Sequence, residues 1–165
     1  MDIDQARQDI MTWLTQFVER PHPRLNGWAP CPYARKARLD NKLEIRAGRL
    51  GPYGDLMHID IGDLDVLALV YNPEDFDCDD FNREINTVNT GFLRPRNLIA
   101  LADHPNDVEE VNGVVMNQGR WAIAFVQSLS KLDSHARMLA EKGYYQDWPE
   151  HYLETLFENR TDPRS

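Results

Sequence analysis

Cysteine is scarce in this chain of 165 residues, with Cys31 and Cys78 the only two. Two are too few for a disulfide framework, and their spacing is not that of a CxxC zinc or redox site. Basic charge is short as well: 18 Lys and Arg face 27 Asp and Glu, for a net charge of -9. That balance disfavours nucleic acid, whose phosphates are met by clustered Lys and Arg. Long apolar runs are missing, the longest being Val66 to Tyr71, far too short to cross a bilayer. The opening Met1-Asp2-Ile3-Asp4 lacks the basic start and apolar stretch of a signal peptide. The expectation is a cytoplasmic protein with no membrane partner. No Ser-centred nucleophile elbow, phosphate-binding glycine loop or dinucleotide fingerprint occurs, so nucleotide chemistry has no support.

What is present is material for one packed domain spanning 1–165, with 42% hydrophobic residues and aromatics along its length. Ile3, Ala6, Ile10, Trp13, Leu14, Phe17 and Val18 recur at helical spacing with Asp2 available as a cap. Pro21 to Pro32 holds four prolines and Asn26-Gly27, which forbids regular structure. A short helix is expected over 34–39, strands over 43–45 and 56–61, and a strand covered on both faces over 64–71. A helix is expected over 77–90, followed by a short strand over 98–102. A hairpin with arms at 114–116 and 121–126 would turn at Asn117-Gln118-Gly119. Two helices follow, one begun at Ser130 and ended by Gly143, the other begun at Asp147-Trp148-Pro149. This order predicts an α+β fold, a mostly antiparallel central sheet with helices packed on one face.

Candidate chemistry falls at three places. Pro30 and Pro32 hold Cys31 in an extended loop, where its thiol is either a small buried hydrophobe or a reactive group favoured by Arg35, Lys36 and Arg38. The strand over 98–102 delivers Asp103-His104-Pro105 at its end, making His104 either a base or metal ligand, or a turn histidine bonded to backbone. His58-Ile59-Asp60, if on a strand, would put His58 and Asp60 on one face as half of a two-histidine, one-carboxylate iron site, completed by His104 or His135. The basic island from Arg35 to Arg49 either pairs with acidic neighbours in the same fold or receives an anionic substrate.

Trp13-x-x-x-Phe17-Val18, then Asn26 through Pro30-Cys31-Pro32-Tyr33-Ala34, resembles uncharacterised bacterial domains that open with a helix and a Cys-Pro-Phe motif. Those domains also carry an acidic segment like Phe76-Asp77-x-x-Asp80-Phe81 and a strand ending in His-Pro, as Ile99 to Pro105 does here. More remotely, a Cys-containing motif paired with a later His-Pro is similar to the YqcI/YcgG family, some of whose members are haem-dependent oxygenases that hydroxylate guanidine nitrogens. The resemblance implies His104 as axial ligand of a non-covalently bound haem b, with Cys31 and Tyr33 in the pocket wall. Arg35 and Arg38 would then hold a carboxylate of the small-molecule substrate. The leading expectation is therefore a haem-dependent small-molecule oxygenase. The alternatives are non-haem iron chemistry, a metal-independent Cys31–His104 enzyme with no cofactor, and a non-catalytic acidic module using Trp28, Tyr144, Tyr145 and Trp148 as contact anchors.

Overall fold

A computed structural model describes residues 1–164. Among these residues lie six strands, β1 (Leu43–Ala47), β2 (Val66–Tyr71), β3 (Leu98–Asp103), β4 (Glu110–Val111), β5 (Val114–Val115) and β6 (Ala122–Ser128). The α-helices are α1 (Ile3–Trp13), α2 (Ala34–Leu39), α3 (Pro52–Leu56), α4 (Cys78–Val88), α5 (Leu129–Glu141) and α6 (Glu150–Leu156). No helix among the described residues is long and apolar enough to cross a membrane.

The fold is α+β. Its main sheet has the order β1-β2-β6-β3. β6 runs antiparallel to both β2 and β3, whereas β1 and β2 pair in parallel, Leu43 opposite Val66 and Ala47 opposite Val70. The sheet is thus mixed and only partly antiparallel. The link between β1 and β2 contains α3, which lets the chain cross back and enter β2 in the same direction as β1.

Both faces of this sheet are covered, so helices on one face alone is corrected. Leu67, Leu69 and Tyr71 of β2 pack with Leu56 of α3 and with Phe81, Ile85 and Val88 of α4. Ala68 and Val70 point the other way, against Ala6, Ile10 and Leu14, because successive strand residues face opposite sides. That is why β2 reads as an unbroken apolar run. α1 must take the second face because α3 and α4 already fill the first.

α1 opens on Asp2, whose carboxylate accepts from the backbone N–H groups of Asp4 and Gln5. Its last turn widens into a π-helical segment over Leu14–Val18. α4 opens likewise on Asp77 and passes through Gly91 without ending, as a second π-helical segment, Asn89–Leu93. The buried Asn89 at its start donates from Nδ2 to the Ala100 carbonyl at 2.9 Å and accepts the Ala100 N–H at 2.8 Å. Its amide stands in for a neighbouring strand along the free edge of β3.

Three further expectations change. Residues 56–61 form no strand: Gly51 at φ 92 and Pro52 at the first helical position start α3 instead. His58 and Asp60 therefore lie in a turn, where Asp60 accepts the Gly62 N–H, and the shared strand face required for an iron site is not formed. The small hairpin is β4–β5, turned by Asn112 and Gly113 at φ 53 and 80. Such a turn demands positive φ at both central residues, which Asn-Gly supplies. α5 starts at Leu129, with Ser128 as its cap.

A third cluster contains no residue of the main sheet. Leu25, Val111, Val114, Leu139, Leu153 and Phe157 surround Tyr144, Tyr145 and Trp148. Those three rings are buried and Trp28 is half-buried against Tyr144, so they join the C-terminal helices to the proline loop and are not exposed anchors.

Candidate functional site

Between the sheet and this aromatic layer lies a cavity of ≈ 1140 Å³. Its floor includes Leu101 of β3 and Phe125 of β6, which stand opposite each other in register. Both are only half-buried, although β6 is an inner strand. Leu132 of α5 and Leu156 of α6 form part of the roof, and Leu14, Pro30 and Cys31 part of one wall. An apolar floor left uncovered inside a fold is the usual form of a small-molecule site.

The polar end of the cavity is built where β3 stops. Asp103 and Glu109 both line it, and neither forms an ion pair among the described residues. Asp103 is 8% exposed. It accepts from Asn117 Nδ2 at 3.1 Å and from the Gln118 N–H at 3.0 Å. Burial nevertheless outweighs these bonds and pushes its carboxyl up to about 6. Glu109 is pushed up to about 7, first by burial and then by the negative charge of Asp103. The hydroxyl of Tyr152 pulls it back by donating to Oε2.

Asn117 organises this end. Besides Asp103, its Nδ2 donates to the carbonyls of His104 at 3.2 Å and Asp107 at 2.9 Å. Its Oδ1 accepts the Glu109 N–H at 2.6 Å. One buried amide thus ties together the chain from 103 to 109. Gln118 extends the arrangement, its side-chain oxygen accepting the N–H groups of Arg120 and Trp121. The residues expected to make a simple hairpin turn instead hold the acidic loop.

His104 is 1% exposed and is not part of the cavity lining. Its Nδ1 accepts the Asn106 N–H at 3.1 Å, and its Nε2 donates to the Phe76 carbonyl at 2.9 Å. Both nitrogens are spent on backbone, which is the turn-histidine arrangement, and the ring packs on Phe81. A metal at either nitrogen would break one of these bonds. The residues present therefore do not fit a haem held by His104.

Cys31 and Tyr33 do line the cavity. Tyr33 stacks on His135 of α5, with ring centroids 3.8 Å apart and planes at 13°. Burial lowers the pKa of His135 and so favours its neutral ring. Cys31 has exposed surface, but protein atoms crowd its sulfur and burial pushes the thiol up. It is the thiol, not the thiolate, that faces the cavity. The structure does not bring His104 into the wall beside Cys31, so the two do not form a nucleophile and base. Arg35 is exposed, and Arg38 forks onto Glu19 at 2.9 to 3.1 Å. Neither lines the cavity. Four of the six basic residues of the island are paired within the fold, through Arg38–Glu19, Lys36–Asp40, Lys42–Asp63 and Arg46–Glu44.

Asp103, Glu109, Asn117 and Tyr152 are the site residues that sequence reasoning missed. A carboxylate directly after the apolar run Leu98–Ala102 was the available signal for Asp103. Nothing local marks the others, because each acts on a partner far along the chain. No protein-family model, no curated protein and no solved structure matches this chain.

Proposed function

We propose that the protein binds a small organic molecule in the cavity over Leu101 and Phe125 and exchanges protons with it through Glu109 and Asp103. The observation that carries this reading is a pair of largely buried carboxyls, neither in an ion pair among the described residues, at the end of a cavity whose floor is apolar. Groups poised near neutrality can both give and take a proton under physiological conditions. Asp103 accepts two N–H bonds that favour its ionised form, whereas Glu109 accepts one hydroxyl. Glu109 is therefore the member that holds the proton when the pair has one, and Asp103 is its anionic neighbour. Asn117 and Tyr152 are positioning residues.

Haem chemistry and thiol chemistry gain less support. The first lacks a free ligand at His104, and the second lacks a base beside Cys31. The test is a fragment screen followed by NMR. Fragments that bind are expected to shift the resonances of Phe125, Leu101 and Tyr152 together and to move the titration of Glu109. Hits that map elsewhere, or none at all, would remove the reading.

A further inference from the structure

We propose that the ligand of this cavity is a cation, an organic ammonium whose charged head lies between Asp103 and Glu109 and whose apolar body lies along Phe125 and Leu101. This rests on the cavity being a small-molecule site, as argued above, and adds the chemical class of what fills it.

The charges lining the cavity carry the inference. Asp65, Asp103, Asp107, Glu109, Glu110 and Glu158 face Lys36 and Lys131. Both lysines are already committed, Lys131 to Asp65 at 3.3 Å and Lys36 to Asp40. Asp65 is answered in that way, and Asp107 accepts from Asn82 at 2.7 Å. Glu110 and Glu158 are exposed. Asp103 and Glu109 remain as the inner carboxyls without an ion pair among the described residues; the adjacent His104 acts on Asp103 to lower its pKa but does not line the cavity.

An anionic ligand would meet these carboxyls without compensation, and burying like charges together is costly. A neutral ligand would leave their mutual repulsion in place. An ammonium relieves that repulsion, offers up to three donors and replaces the missing counter-charge. The aromatic rings among the lining residues, Trp13, Tyr33, Phe125 and Tyr152, suit a cation better than an anion. The outer carboxylates and the net charge of -9 draw cations towards the opening. The apolar floor sets the other requirement, a hydrocarbon or aromatic body.

Three probes of equal length separate the possibilities: n-octylammonium, n-octanol and octanoate, titrated calorimetrically into the full chain at neutral pH. Octylammonium is expected to bind tighter than octanol by about tenfold or more, with octanoate the weakest. Glu109→Gln is expected to close most of the gap between octylammonium and octanol by weakening octylammonium. Leu101→Trp, which fills the floor, is expected to weaken both, and circular dichroism checks that each variant is folded. Octanol or octanoate binding as tightly as octylammonium, with loss on Leu101→Trp, would overturn the cation and keep the small-molecule site. An ammonium preference that Glu109→Gln and Asp103→Asn both leave intact would overturn the assigned head position. No binding by any probe would overturn both readings.

Discussion

The hydroxyl of Tyr152 donates to Oε2 of Glu109 at 3.2 Å, so a side chain of α6 holds a carboxyl presented by the loop after β3. The two residues are 43 positions apart, and their bond joins the C-terminal layer to the acidic end of the cavity.

Removing that hydroxyl has a definite sign. The bond favours ionised Glu109, so Tyr152→Phe raises the Glu109 pKa further above about 7. Carboxyl carbon chemical shifts followed against pH measure it directly. A titration that stays put or moves down would show that the hydroxyl does not act on Glu109.

Asn117→Ala strips one donor from Asp103, His104 and Asp107 together and leaves the Glu109 N–H without its partner. Leaving buried polar groups unmatched costs about 1–3 kcal/mol each. Partial rearrangement lets water reach some of them, so the expected loss is about 3 kcal/mol in urea unfolding. A loss no greater than that of an ordinary surface Asn→Ala would mean that the loop holds its shape unaided.

Stability should also carry the imprint of Asp103 as pH changes. Its folded pKa, about 6, lies above the ordinary value of 3.8. The fold therefore favours the protonated form, and this contribution is fully present below the unfolded pKa and lost as pH rises through the folded one. Glu109 acts in the same direction, from 4.5 towards about 7. Asp103 alone accounts for a decline of roughly 3 kcal/mol between about pH 4 and about pH 7. Asp103→Asn, which cannot ionise, should show a flatter profile than the parent over that window. Parallel profiles would sink the assignment.

His104→Ala removes the bonds to Asn106 and Phe76, and should destabilise the chain by about 2 kcal/mol. In protein produced with added haem, the spent nitrogens of His104 predict no Soret band that depends on this residue. A Soret band in the parent that vanishes in a folded His104→Ala would restore haem to this position.

The elements that sequence pattern made legible are those whose reasons are local. The stripe from Ala6 to Leu14, the helix expected from Asp77 and the apolar run from Val66 to Tyr71 each declare themselves within a few residues. Residues 56–61 look like a strand by composition, but Gly51 and Pro52 start a helix just before them. The site was harder for a related reason. His104-Pro105 at a strand end looks reactive until the Phe76 carbonyl, 28 residues earlier, is seen to occupy its ring. Asn117 looks like a turn residue because its bonds to 103, 104, 107 and 109 exist only once the chain has folded back. Cys31 and Tyr33 line the cavity at the end of a loop whose path the prolines fix locally.

The place of β6 also orders events in time. It follows β2 and β3 in the chain yet sits between them, so neither can complete its pairing until Ala122–Ser128 has left the ribosome. A nascent chain that stops short of Ala122 has β1 joined to β2 and β3 without its partner. Phe125 and Gln127, which line the cavity, arrive with the same strand. Closing the sheet and laying the floor are one step, and a truncation before β6 removes that part of the cavity floor together with the central pairing of the sheet.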